Sequence, residues 1–321
     1  MKVALEEILS SLHVIELPMR TRFRGIEKRE TALISGSRGW GEFAPFIEYD
    51  EFESVPWLTS AIEQAFGQMP EIVRRSIPVN GTIPATDSKA VIETLVASYP
   101  GVGVFKIKVG LGLQEDLIRI ARVRALVPKA KIRLDVNGIW SVKDAVFNIR
   151  TIYGEVTGNS LEYVEQPVAS LHELRELKES LKVEVKIAGD EVLRKSKDPF
   201  ALNLEGAIDV LMLKVAPLGG IQRSLELAEH HKIPVVVSSA LESAVGISHG
   251  LMLAATLPQL DYACGLATGS LFVTDVGTHE IINGELKVQT ITPERIEDFK
   301  VSQERLEWWR ERITRVWQVM Q

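Results

Sequence analysis

From about residue 79 the chain alternates short β-branched and apolar runs, each ending in polar residues, with longer stretches whose apolar positions recur at helical spacing. The short runs fall at 79–83, 104–109, 132–136, 161–164, 184–187, 209–213, 234–237 and 260–264, and predict eight strands. Helices are expected between them, for instance over 113–126, 142–152, 171–179 and 221–231, each long enough to cross over between parallel strands. Eight such units close a barrel. Before residue 79 the pattern changes. Runs at 12–18, 30–35 and 40–44, with Gly39 and Gly41 at bends, predict an antiparallel meander, and 56–75 predicts one or two helices. After the barrel, 284–289 predicts a returning strand and 293–321 a helical tail packed on the N-terminal unit. The expected architecture is α/β. A (β/α) barrel spans residues 77–283, and an α+β capping domain is built from residues 1–76 and 284–321.

Composition narrows the function. The 321 residues include 37 basic and 43 acidic ones, a net charge of −6 that repels nucleic acid. A hydrophobic share of 45% and a charged share of 25% are those of a globular protein with a sizeable core. Cys264 is the single cysteine, so no internal disulfide forms and nothing points to an oxidising compartment. The first residues, with Lys2, Glu6 and Glu7, lack the apolar stretch of a signal peptide, and no apolar run is long enough to span a bilayer. A cytoplasmic protein with no membrane or nucleic-acid partner is expected; oligomeric state is not legible.

In a (β/α) barrel the chemistry sits at the C-terminal strand ends. The second run carries Lys106 and Lys108, which alternation sends to the same side, toward the barrel interior. The third, fourth and fifth runs end in Asp135, Glu165 and Asp190, one βα unit apart, so three carboxylates meet on one rim. Such oxygen donors suit a hard divalent cation, Mg²⁺ first and Mn²⁺ as a substitute. The sixth run ends in Lys214, which faces the first two lysines across the barrel. Ammonium groups aimed inward from apolar strands call for anionic partners: the carboxylates, and a carboxylate-bearing substrate. A cation beside a substrate carboxylate stabilises the charge formed when the adjacent carbon loses a proton, and a lysine can take that proton.

With 43 of 321 residues acidic, three chosen positions are all acidic by chance roughly once in 400 trials. Singly, each residue is ordinary. Asp135 also suits a helix cap and Glu165 a surface turn; Lys106 could serve only to pair a carboxylate, and Lys214 could be a salt-bridged barrel lysine. Gly219 and Gly220 suit a tight turn or a carboxylate contact better than a phosphate cradle. The basic run Arg20, Arg22, Arg24, Lys28 and Arg29 fits a solvated loop or a lid over an anionic substrate equally well. Cys264 reads as core. The stripe of Trp308, Trp309 and Trp317 reads as a helix packed on the cap.

Together, Gly39-Trp40-Gly41-Glu42, the Lys106-Ile107-Lys108 strand, Asp135-Val136-Asn137, Glu165-Gln166-Pro167, Gly189-Asp190-Glu191 and Lys214 followed by Pro217-Leu218-Gly219-Gly220 resemble the muconate-cycloisomerase subgroup of the enolase superfamily over nearly the whole chain. The resemblance implies Asp135, Glu165 and Asp190 as Mg²⁺ ligands and Lys108 and Lys214 as catalytic lysines, with Lys106 beside them. Within the subgroup, Phe23-Arg24-Gly25-Ile26, the 80–85 segment, Ser238-Ser239-Ala240-Leu241-Glu242-Ser243 and Cys264-Gly265-Leu266-Ala267-Thr268 are most similar to the o-succinylbenzoate synthase family. That implies a small dicarboxylate substrate and loss of water from 2-succinyl-6-hydroxy-2,4-cyclohexadiene-1-carboxylate, in menaquinone biosynthesis. Asn137, Arg24, Gly219, Gly220, Ser239, Leu241 and Gly265 are the expected substrate contacts. The seventh run ends in Ser238-Ser239 with no histidine base, and the eighth carries no carboxylate, unlike the histidine-base subgroups and the cycloisomerases. The alternatives are an N-acylamino-acid racemase or dipeptide epimerase, a Schiff-base aldolase at Lys214, and a non-catalytic barrel that binds a small acid.

Overall fold

The computed structural model describes residues 3–156 and 160–321. A short helix α1 (Leu5–Ser10) leads into an antiparallel sheet of β1 (Leu12–Phe23), β2 (Ile26–Gly36) and β3 (Gly39–Phe43), covered by α2 (Glu51–Phe66). The first two strands run past the predicted apolar runs, because residues 19–23 and 26–29, in which the buried Met19 and Phe23 alternate with polar residues, continue the hairpin to a turn at Arg24 and Gly25, both at positive φ. The basic run is therefore strand and turn rather than loop. Helix α2 begins five residues before Pro56, where Asp50 accepts from the Glu53 amide as N-cap. Gly41 has no room for a side chain: a Cβ would lie 2.1 Å from the Ala61 carbonyl oxygen, so β3 rests directly on α2.

The chain then passes through β4 (Ser76–Pro78), β5 (Gly81–Ile83), α3 (Lys89–Ala97), β6 (Val104–Lys108), α4 (Leu113–Leu126), β7 (Lys131–Asp135) and α5 (Val142–Glu155). It continues as β8 (Leu161–Glu165), α6 (Leu171–Ser180), β9 (Lys186–Gly189), α7 (Glu191–Arg194), β10 (Val210–Lys214), α8 (Val215–Leu218), α9 (Ile221–His231), β11 (Val235–Ser238) and α10 (Ala244–Thr256). Strands β5 to β11 form one parallel sheet in sequence order. The eighth run is not a strand. It supplies only two parallel bridges, Val79 to Cys264 and Ser238 to Gly265, which join the sheet's first and last edges and close the barrel. Of the first run only 81–83 is strand; just before it, Ser76–Pro78 pairs with β13 (Glu285–Lys287), which with β12 (Ile281–Ile282) makes a small separate sheet.

The C-terminal helix α11 (Gln303–Met320) packs on α2 and α1. Trp309 is fully buried against Phe43, with Ile313 and Val316 alongside, in a cap core separate from that of the barrel. Two carboxylates from the cap join it to the barrel. Glu63 of α2 accepts from the amides of Ile221 (2.5 Å) and Gln222 (3.1 Å) at the start of α9 and lies 3.2 Å from His249 Nε2. Glu42 of β3 accepts from the amides of Ser243 and Gly246 at the start of α10. Acidic groups at helix N-termini satisfy orphan amides and oppose the helix dipole, so the cap is seated by charge as well as by packing.

Candidate active site

Lysines and carboxylates interleave at the C-terminal strand ends. Period-two alternation on β6 turns Lys106 and Lys108 inward, and register aligns Lys108 with Asp135, and Asp135 with Glu165, on adjacent strands. Lys106 Nζ lies 3.1 Å from Glu165 Oε2 and 3.2 Å from Asp135 Oδ2. Lys108 donates to Asp135 Oδ2 at 2.6 Å and to Asn137 Oδ1 at 2.7 Å. From the far side of the barrel, Lys214 on β10 donates to Asp190 Oδ2 at 2.5 Å. The three carboxylates are essentially inaccessible, with exposures of 0–1%.

Burial sets charges against one another here. It disfavours the Lys106 ammonium, but Glu165 and Asp135 outweigh it and hold that pKa above the ordinary lysine value. For Lys108 burial prevails, helped by the Lys106 charge, and the pKa falls despite Asp135. Asp135 sits below the ordinary carboxylate range because Lys108, Lys106 and Lys214 overcome its burial, and Lys214 with Arg194 does the same for Asp190. Glu165 moves the other way, to about 7, pushed by burial and then by the Asp135 charge.

Two further residues complete the floor. Asn137 Nδ2 donates to Glu191 Oε1, and Arg194 donates to the same oxygen at 2.8 Å while its Nε lies 3.5 Å from Asp190 Oδ2. Arg194 also donates to the Tyr49 hydroxyl, which receives a second hydrogen bond from Arg24 at the hairpin tip. Glu191 follows Asp190 in sequence and Arg194 follows one turn later, so adjacency to a strand end was the available signal for both. Nothing in the sequence marked Tyr49.

Of the expected substrate contacts, Asn137, Arg24, Ser239, Leu241 and Gly265 line one cavity with the three lysines and Asp135. Gly219 and Gly220 do not line it. Both have positive φ, and a Cβ on Gly220 would meet Glu63 Oε2 at 2.2 Å. The carboxylate at this double glycine is thus the cap's own Glu63. The remaining free space in the cavity is about 40 Å³.

Among the described residues, no three acidic, histidine or cysteine side chains stand together as a ready-made cation cage. Each strand-end carboxylate is instead turned to an ammonium. The donor set nevertheless fits a hard cation. Asp135 Oδ1 and Glu191 Oε2 are buried oxygens without a hydrogen-bond partner, and Glu165 resists ionising where it stands.

The barrel, cap and strand-end constellation are those of one superfamily. Residues 14–65 match the enolase N-terminal domain-like family and residues 90–293 the enolase C-terminal domain-like family, so the chain belongs to the enolase superfamily. Its fold is shared with the muconate lactonizing enzymes of Pseudomonas putida (TM-score 0.72, 19% identity, 90% of this chain and 98% of that one) and Pseudomonas fluorescens, complexed with muconolactone (TM-score 0.73, 20% identity, 93% and 97%). The sequence is 48% identical to the o-succinylbenzoate synthase of Mycobacterium marinum over 96% of this chain and 94% of the relative. It is 45% identical to that of Mycolicibacterium smegmatis over 97% and 96%. Within the superfamily, the chain belongs to the o-succinylbenzoate synthase family. None of its described helices is long and apolar enough to cross a membrane.

Proposed function

We propose that the protein carries out the reaction of that family: magnesium-dependent loss of water from 2-succinyl-6-hydroxy-2,4-cyclohexadiene-1-carboxylate to give 2-succinylbenzoate. The observation that carries the reading is the placement of Lys108 and Lys214 on β6 and β10, opposite one another in the barrel, beside three buried carboxylates.

Asp135, Glu165 and Asp190 are the residues to hold Mg²⁺. The cation supplies positive charge next to the ring carboxylate, where negative charge grows as the adjacent C–H bond breaks. Lys108 takes that proton. It is the lysine with access to the cavity whose neutral form burial favours, and Asn137 orients it. The electron pair left on the ring expels the hydroxyl, which receives the proton back from Lys108 and leaves as water, so the ring becomes aromatic and charge balances. Lys214 covers the opposite face as a fixed cation. Arg24 at the mouth stacks on Phe46 with its guanidinium carbon 4.0 Å from the ring centroid, and it suits the remote succinyl carboxylate. The exposed Arg24–Gly25 turn stands at the mouth of the cavity, placed to close over a bound acid.

The test is turnover of freshly prepared substrate with Mg²⁺, with chelator, and by Lys108→Ala. Loss of the diene absorbance that needs Mg²⁺ and Lys108 is the expected result. No turnover by folded, metal-loaded protein would refute the assignment.

A further inference from the structure

The turn Ser239–Leu241 forms one wall of the cavity, and charged groups outside the cavity hold it and the start of α10 that follows. The Ala240 amide donates to Glu242 Oε2 at 2.6 Å, and the Leu241 carbonyl accepts from Arg29 of β2 at 3.1 Å. Ser243, the N-cap of α10, gives its amide and its hydroxyl to Glu42 of β3. Leu241 is held at φ 69°, a backbone state that persists only where surroundings impose it.

Glu242 is 3% exposed, and its Oε1 is buried without a hydrogen-bond partner. Glu42 is close by. A Cβ placed on Gly246 would lie 2.6 Å from Glu242 Cβ and 2.8 Å from Glu42 Oε2, so the two side chains flank the same point. Glu42 accepts from three donors, two amides and a hydroxyl, which suits an ionised carboxylate. Arg29 directs its hydrogen bonds to the carbonyls of Leu241 and Ala44 rather than to either carboxylate. Asp275, from the segment that follows α10, accepts from the Ala244 amide and lies within reach of the Glu42 charge. His279 contacts the Ala244 carbonyl, and His249, on α10 itself, is turned to Glu63. Two carboxylates in so dry a place do not both ionise at low cost, and a proton on Glu242 Oε1 converts an orphaned acceptor into a donor.

We propose that Glu242 is a positioning residue for the active site: protonated beside ionised Glu42, it holds the Ser239–Leu241 wall in the shape that meets the substrate, and its ionisation loosens that wall. Burial, then the Glu42 charge, pushes the Glu242 carboxyl up to about 7, which places the change near neutrality. The inference rests on the proposed function only for the identity of the substrate.

The experiment compares the magnesium-loaded wild-type protein with Glu242→Gln, which mimics the neutral acid, from pH 6 to pH 8.5. Infrared difference spectra should show protonated-carboxyl absorbance titrating near neutrality in the wild type, to which Asp275, pushed up to about 7 by burial and the Glu42 charge, also contributes, and Glu242→Gln should lose the Glu242 share of it. In turnover, KM of the wild type should rise several-fold across that range while KM of Glu242→Gln stays flat, with kcat following the same course in both. Should Glu242→Gln not fold, Glu42→Gln removes the opposing charge and should also abolish the neutral-pH titration. A neutral-pH carboxyl absorbance undiminished in Glu242→Gln, or a KM that rises with pH equally in variant and wild type, overturns the proposal. The infrared measurement needs no substrate, so it decides the matter even where the proposed turnover fails.

Discussion

Replacing Glu63 tests whether the cap is seated on the barrel by charge. Its carboxylate satisfies the amides of Ile221 and Gln222 and pairs with His249, and its side chain is 24% exposed. Loss of an N-cap acceptor costs about 0.5–2 kcal/mol, and loss of the favourable charge at a helix N-terminus about 0.3–1 kcal/mol more. Glu63→Ala should therefore destabilise by about 2 kcal/mol, and Glu63→Gln, which keeps one acceptor but no charge, by about 1 kcal/mol. The sign with pH follows from His249 and the two amides, which overcome burial and lower the Glu63 pKa in the folded protein. The stabilisation is present above the unfolded value, about 4.3, and is lost as pH falls through the folded value. Denaturant melts at pH 7 and at pH 4 and below should show the wild-type advantage shrinking on acidification. Gly220→Ala supplies an internal check. It presses on Glu63 and strains a positive-φ position, so in a Glu63→Ala background it should cost less than in the wild type. A Glu63→Ala protein as stable as wild type at pH 7, or strictly additive effects with Gly220→Ala, would refute the electrostatic seating.

Lys108→Ala should lower kcat by about 10²–10⁴-fold, the usual worth of a positioned general base, with the fold intact by circular dichroism. The same substitution removes a cation competing for Asp135, so Mg²⁺ binding measured by calorimetry should be as tight as in the wild type or tighter. Lys214→Ala should abolish turnover and lower stability, since Asp190 keeps only Arg194, at 3.5 Å, as a cationic neighbour; a variant with near-normal kcat would remove Lys214 from the mechanism. Added Mg²⁺ should raise the melting temperature and chelator should reverse it, and a Glu165→Gln protein should lose that response.

The barrel was legible because its strands and helices carry different periods, and helices α4 and α9 begin and end where the pattern places them. The eighth run misleads for a physical reason. Leu260, Tyr262 and Cys264 alternate with Asp261 and Ala263 as in a strand, but only Cys264 and Gly265 pair with the neighbouring edges. The lysines and the three acidic strand ends were legible because barrel geometry fixes where strand ends go. Glu191, Arg194 and Tyr49 were not, because their roles depend on a short helix and on how the cap is seated, which no local spacing encodes. The double glycine was expected to touch substrate and instead forms a tight turn against Glu63 of the cap, a partner that no local spacing encodes.

The two-bridge closure divides the barrel into unequal halves. From β6 to β10, which carry the lysines and acidic strand ends, each strand has a continuous partner on both sides, whereas Ser238 and Gly265 meet across a seam of single pairings. Local opening costs least where backbone pairing is sparsest. Amide exchange should accordingly begin at this seam and leave the acidic strands protected.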